Sequence, residues 1–329
     1  MKTNKPLITV IIPTYNREKT IYNCVKSLQN QTIKNEYYQI IVLDNHSTDT
    51  TVDIIKNNFK DIKVITNNTN IGMVSNWNKA INITETKYLA LFHSDEVFHP
   101  QILEFYLEVC EKEECDIISS AITYEQNFLN IKYNNIDYYK DMNFNNFIKQ
   151  THGNIQITNA MFRLDYIKNN MFDEQIKYYP DKEWQYRVYK TASIYYIRNK
   201  LTYTKIGEHQ LSSFYWKALK EGIVNDKNIL YLKQVISENK IFINKIKCDK
   251  DFLEASISKK YKNEFLAKEY SHLATIQFLL NDKERYISIL KSLTYTNSFK
   301  KIFIRIIKLL IILKILPKKL LFLKIGYQK

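Results

Sequence analysis

Apolar and polar positions along the first hundred residues come in blocks. "LITVIIPTYNRE" opens as an unbroken β-rich apolar run and stops at Pro13, the pattern of a buried strand that feeds a polar loop. "REKTIYNCVKSLQNQ" then sets Ile21, Cys24, Val25 and Leu28 at helical spacing. "YQIIVLDNHSTDTTVDIIKNNF" repeats the plan: a strand over 40–43, a polar loop opening at Asp44, and a helix that Thr48 or Asp49 can cap. "IKVITNN" reads as a third strand, "NIGMVSNWNKAIN" as a glycine-containing loop and helix, and "KYLALFHSDE" as a fourth strand. This alternation predicts an α/β domain with a largely parallel central sheet, in which ligands bind outside the carboxyl ends of the strands. "PTYN", "DNHSTD" and "HSDE" each fall at such an end, so three polar loops converge on one rim.

Beyond Glu96, "PQILEFYLEVCEKEE" is patterned as an amphipathic helix and "CDIISSAITY" as a strand. Residues 124–150 are rich in Asn and Tyr with weak periodicity and read as a long loop or lid. Helix and strand signals return over "ITNAMFRLDYIKNNM", "DKEWQYRVYKTA" and "SIYYIRNKLTYTK". From Trp216 onward the pattern is nearly all helical, with no proline before Pro317. The expected organisation is a mixed domain over 1–215 and a mainly α-helical region over 216–329.

Charge sharpens that division. The net charge is +14, yet residues 1–215 carry 24 basic and 24 acidic side chains, whereas 216–329 carry 24 basic and 10 acidic. A basic end on a neutral body points to a local docking surface and argues against a nonspecific nucleic-acid partner. The last segment, "FKKIFIRIIKLLIILKILPKKLLFLKIGYQK", has nine basic residues and no acid. On a helix Lys301, Arg305 and Lys308 fall within about 60° of arc and leave a broad apolar face. Its longest uncharged run, "LLIIL", is too short to span a bilayer. Two readings stand: insertion at an anionic membrane surface over about 299–329, or a core helix with solvated lysines. Equal flotation of the full chain and residues 1–298 on anionic liposomes would remove the first.

The cysteines Cys24, Cys110, Cys115 and Cys248 form no CxxC pair and are expected to be reduced thiols in a cytosolic protein. The N-terminal apolar run is followed by "PTYNRE" and no small-residue cleavage site, so a signal peptide is not expected.

In this order, "VIIPTYNREKTIYNCVKSLQNQT", "IIVLDNHSTDTT", "NIGMVSNWNKAI", "YLALFHSDE", "FDEQIKYYPDKEWQYRV" and "EHQLSS" resemble the family-2 glycosyltransferases over residues 7–215. The resemblance implies a GT-A nucleotide-sugar-binding fold and transfer of a sugar from a nucleotide donor with inversion at the anomeric carbon. Asp44 corresponds to the base-binding acid, its carboxylate accepting the N3–H of uracil, with Pro13 and Tyr15 as wall and aromatic edge. An Asx-type loop cap is the other reading of Asp44. Asn70, Gly72 and Asn78 correspond to a segment lining the nucleotide, while Trp77 stands where many members carry a basic residue.

The leaving diphosphate needs its charge neutralised, which a divalent cation held by carboxylate oxygens achieves. The family's Asp-x-Asp falls on His93-Ser94-Asp95. Asp95 is then the principal ligand of Mn²⁺ or Mg²⁺, and Ser94 lies beside the nucleotide. His93 either joins the metal shell, which suits Mn²⁺ better, or hydrogen-bonds the ribose or a phosphate. Glu96 either supports the metal ligand from behind or is a spare acid. The base that takes the acceptor's proton falls on Asp181, with Glu183 as fallback and Pro180 where an acid is expected. An N-cap for a helix over 182–190 is the structural reading of Asp181. His209, with Ser212 and Ser213, matches a late segment that folds over the diphosphate and is a further metal candidate.

The implied partners are a UDP-linked donor and a glycan or lipid-linked acceptor in surface polysaccharide, lipid-linked oligosaccharide or glycoprotein synthesis. The implied location is cytoplasmic, peripheral at the inner face of the cell membrane. Because two motif acids are replaced, the alternative is a noncatalytic sugar-nucleotide or glycan-binding module with the same fold.

Overall fold

The computed structural model describes residues 5–150, 153–177, 180–204, 226–280, 282, 284–296 and 306. They fall into two compact units, Met1–Asn143 with Gly153–Ile206, and Phe144–His152 with Gly207–Lys329.

The first unit is built on a nine-stranded sheet. Its leading half follows the expected alternation: β1 (Ile8–Thr14), α1 (Ile21–Gln29), β2 (Tyr38–Asp44), α2 (Thr51–Asn58), β3 (Lys63–Thr66), α3 (Met73–Ile83) and β4 (Tyr88–Phe92). These strands lie in the order β3-β2-β1-β4, all parallel, with Ile8 opposite both Tyr38 and Tyr88. Every residue of β4 is buried, and of β1 only Pro13 is partly exposed. Continuous apolar runs are what a sheet covered on both faces requires. Ile21, Cys24, Val25 and Leu28 of α1 are fully buried, as their spacing predicts. The edge strand β3 carries exposed Lys63 and Thr66 at its ends, a common guard against edge pairing.

The remaining strands mix directions. β5 (Glu96–Phe98), α4 (Ile102–Glu113), β6 (Ile117–Thr123), β7 (Tyr138–Lys140), β8 (Asn159–Arg163), α6 (Leu164–Lys168), α7 (Pro180–Val188) and β9 (Ile194–Thr204) complete the unit, and α5 (Phe144–Gln150) belongs to the other. β8 is antiparallel to β4 and β6, β6 is parallel to β9, and β5 and β7 are antiparallel to β9. The α/β fold with a parallel leading half is therefore as expected. Three local readings change. The strand read through Glu96 ends at Phe92, and Glu96 opens β5 opposite Thr204. The stretch read as a loop or lid holds β7, a 3₁₀ turn over Gln126–Asn130 and α5. Cys110 and Cys115, read as free thiols, form a disulfide. Glu114, at φ 51°, leaves the helical conformation, and the two Cα atoms stand 4.9 Å apart.

The described part of the second unit is helical, as its pattern predicts: α5, α8 (Asp226–Cys248), α9 (Lys250–Glu254), α10 (Lys259–Leu279) and α11 (Arg285–Thr294). Asp249 caps α9 by accepting the Asp251 N–H at 2.9 Å. Phe147 of α5 packs on Phe265 of α10, with ring centroids 5.9 Å apart. No described helix is long and apolar enough to cross a membrane. Apart from Ile306, the basic segment 299–329 lies outside the described residues, as do His209, Ser212 and Ser213.

Candidate active site

Three loops leave the carboxyl ends of β1, β2 and β4, and hydrogen bonds between distant residues lock the first two together. Asn16, in a left-handed conformation (φ 50°), donates its N–H to Ser47 Oγ at 2.9 Å and accepts from the Thr48 N–H at 2.8 Å. The Arg17 N–H reaches Thr51 Oγ1 at 2.7 Å, and the Glu18 N–H reaches Asp49 at 3.2 Å. Thr50 Oγ1 donates to Glu18 at 2.8 Å. Burial alone would raise the Asp49 carboxyl, but the bonds from Thr51 outweigh it and hold its pKa below the ordinary value. The N-cap of α2 is Thr50, one residue beyond the expected Thr48 or Asp49, and Asp49 instead accepts the Thr51 N–H and braces the first loop.

Asp44 is fully buried at the end of β2, and both its oxygens accept the Ser47 N–H, at 3.3 and 3.2 Å. This is the local cap foreseen for it, and it orients the carboxylate while leaving lone pairs for another donor. Pro13 is partly buried and Tyr15 is 41% exposed on the adjoining loop.

The third wall rests on buried asparagines that sequence reasoning missed. Asn45 Oδ1 accepts from Asn67 Nδ2 at 2.9 Å and from the Ile71 N–H at 3.0 Å, and Asn45 Nδ2 donates to Asn70 Oδ1 at 2.9 Å. Asn67 also donates to Asn76 Oδ1 at 2.9 Å, and Asn76 donates to the Leu43 carbonyl at 3.2 Å. A partly satisfied polar cluster is costly at such depth, so the amides specify one shape for 67–72. Gly72 precedes α3 at φ 86°, where a side chain would be strained, and open space lies where a Cβ would stand. Asn78 is turned elsewhere: its amide bonds both backbone groups of Phe172 it can reach, at 2.9 and 3.0 Å, and Glu174 at 2.9 Å. It latches 172–174 to α3.

At the end of β4, Ser94 is buried and Asp95 partly exposed. His93 Nε2 is buried without a hydrogen-bond partner. Burial lowers the imidazole pKa, the Asp95 charge opposes this, and the Arg17 charge adds to it, so the net shift is downward. The ring is therefore a neutral base at physiological pH. Trp77 packs beside it, centroids 5.2 Å apart.

Glu96 is a different kind of acid. It is 3% exposed, accepts the Thr204 hydroxyl, and burial raises its pKa to about 8, the Thr204 bond opposing and Asp95 assisting. A carboxyl raised in the folded state stabilises least where the unfolded chain has ionised. The contribution is fully present below about pH 4.5 and is lost as pH rises to about 8. In melting experiments Glu96→Gln should therefore be more stable than wild type by a margin that grows between about pH 4.5 and 8 and levels off above it, on the order of 5 kcal/mol at most. A margin independent of pH would refute a protonated Glu96.

α7 begins at Pro180, a residue suited to the first helical position. Asp181 therefore lies in the first turn, not at a cap before 182, and the helix ends at Val188. Its side chain is solvent-exposed, yet the surrounding protein raises its pKa, the Lys182 N–H and ammonium opposing. Glu183 is buried in an ion pair with Arg187 Nε at 3.0 Å, and Trp184 is a core residue whose Nε1 donates to the Asn170 carbonyl at 2.8 Å. Two routes tie α7 to the end of β4. Rings run from His93 to Trp77, to Phe172 at 5.1 Å, and to Trp184 at 5.0 Å. Gln185 donates to the Ile155 carbonyl at 3.0 Å, and the His93 N–H reaches the Thr158 carbonyl at 3.0 Å.

Residues 9–171 match the family described as Glycosyl transferase family 2. An uncharacterized glycosyltransferase of Haemophilus influenzae is 27% identical over 276 residues, 72% of this chain and 84% of that protein. The poly(ribitol-phosphate) beta-glucosyltransferase of Bacillus spizizenii is 33% identical over 114 residues, 33% of this chain but only 18% of its own length. In structure, the chain is similar to S. aureus TarS 1–349 in complex with UDP-GlcNAc, with TM-score 0.61 and 19% identity over 90% of this chain and 82% of that one. The motifs, the parallel rim and these likenesses agree: the chain is a glycosyltransferase with the GT-A fold and belongs to glycosyl transferase family 2.

Proposed function

We propose that the chain transfers a sugar from a UDP-linked donor to a glycan acceptor, with inversion, in the synthesis of a surface polysaccharide or lipid-linked glycan. What supports this is that Asp44 and the His93–Asp95 segment stand at the carboxyl ends of the two strands flanking β1, and that α7, the helix carrying Asp181, is tied to that end of β4 through Trp184 and Gln185. Asp44 accepts from the base and Tyr15 lies along it. The open space beside Gly72 leaves the backbone approachable. The acceptor class follows the likeness to a poly(ribitol-phosphate) glucosyltransferase.

A divalent cation fits the residues present. Among the described residues no three potential ligands cluster, but Mg²⁺-type sites commonly take one or two carboxylates and complete their shell with substrate phosphates. Asp95 would hold it, and His93, with a buried unpartnered Nε2, adds a nitrogen donor that favours Mn²⁺. When bound, the ion neutralises charge developing on the leaving diphosphate. Asp181 takes the proton from the acceptor hydroxyl as that oxygen bonds to the anomeric carbon and the bond to the diphosphate breaks.

The test is release of nucleoside diphosphate from a panel of nucleotide sugars with acceptor extracts, in Mn²⁺, Mg²⁺ or chelator. UDP release that depends on an acceptor is expected. Nucleotide binding without release from any donor would establish the noncatalytic module instead.

A further inference from the structure

Among the described residues Arg17 has no counter-charge. The hydrogen bonds its side chain makes there run from Nη1 to the carbonyls of Tyr15 and Asn16, both at 3.3 Å. Among the described residues no carboxylate lies within ion-pair distance of it. Its Nε is buried with no hydrogen-bond partner. A buried donor left unmade costs about 1–3 kcal/mol, more on a charged group, and calls for an explanation.

The chain holds this arginine in place deliberately. Its N–H is anchored on Thr51 at 2.7 Å, and the residue before it sits in a left-handed conformation fastened at both ends to 47–48. β1 and β4 are adjacent and parallel, so the loop carrying Arg17 leaves the sheet beside His93 and Asp95. His93 Nε2 is likewise buried and unpartnered. An unmatched guanidinium nitrogen at this strand end suits a ligand rich in acceptor oxygens. The Nε edge of a guanidinium matches two oxygens of one phosphate. α3 offers no cation beside His93, since Trp77 fills that place and Lys79 bonds Asn67 Oδ1 at 2.6 Å.

We infer that Arg17 binds the donor's diphosphate directly through its Nε edge, and that it does so without help from a metal ion. The inference rests on the function proposed above and adds a residue to it. Arg17 then offsets the repulsion between the diphosphate and Asp95, and supplies affinity for phosphate distinct from affinity for the base.

Calorimetric titration of the full chain with UDP, GDP and uridine in chelator tests this, on wild type, Arg17→Gln and Arg17→Lys. Wild type should prefer UDP to uridine. Arg17→Gln should weaken UDP roughly 10- to 100-fold, the worth of a charged hydrogen bond, with uridine binding unchanged. Arg17→Lys should retain part of the preference. An unchanged UDP-to-uridine ratio in Arg17→Gln overturns the inference alone. Equal loss of UDP and uridine also overturns it, because Arg17 would then merely shape the loop. Failure of wild type to bind either diphosphate overturns both this inference and the function beneath it.

Discussion

Asp181→Asn is expected to stop sugar transfer while leaving the fold and nucleotide binding in place. The amide has the carboxylate's shape and can keep its place in the first turn of α7, but it cannot accept a proton. General-base catalysis contributes roughly 10²- to 10⁴-fold, so kcat should fall by about that factor with little change in UDP affinity. The fallback Glu183 does not substitute, being buried and paired with Arg187. The raised pKa of Asp181 also has a sign. The base works ionised, so the wild-type rate should climb with pH through a pKa above the ordinary Asp value, a limb that disappears in the variant. Transfer at wild-type rate by Asp181→Asn would remove the assignment.

Asp95→Asn should be nearly as damaging, for a different reason. Asp95 is the partly exposed carboxylate at the end of β4, and its charge reaches both neighbours, raising Glu96 and opposing the fall of His93. Glu96, being largely protonated at neutral pH and bound to Thr204, does not replace it. Neutralising Asp95 removes the main oxygen ligand for a cation whose stabilisation of a leaving phosphate is worth several kcal/mol. Activity should drop by roughly 10²-fold or more. Mn²⁺ binding in the presence of UDP, followed by electron paramagnetic resonance, should weaken in parallel. Unchanged Mn²⁺ binding would mean the ion is held elsewhere.

Asp181 is named only by the resemblance to the family's motif, whereas Asp44 and Asp95 can be singled out from the sequence because each stands at a boundary between an apolar run and a polar loop. That pattern is local. What surrounds them is not. Glu96 looked like part of the same acidic strand end, but its partner Thr204 lies 108 residues away, and the pairing turns an apparent loop acid into a buried strand residue. Asn78 sits in the expected segment, yet its amide bonds Glu174 across 96 residues. Asn45, Asn67 and Asn76 escaped notice because asparagine is frequent throughout this chain, so no single one stands out. The short strand β7 was hidden because three residues carry too little periodicity to register.

The sequence by itself determined the α/β plan, the parallel leading strands and the rim on which polar loops gather. Those features follow from burial patterns that repeat within a few residues, and hydrophobic burial needs only the order of apolar and polar positions. Only the tertiary structure decided which polar groups on that rim are occupied and which are open. Asp49, Glu183 and Asn78 are occupied, and Arg17 Nε and His93 Nε2 are open. The physical reason is that a hydrogen bond or ion pair depends on distance and direction between segments far apart in the chain. A residue's type states what it can bond, and the fold settles whether that bond is already made.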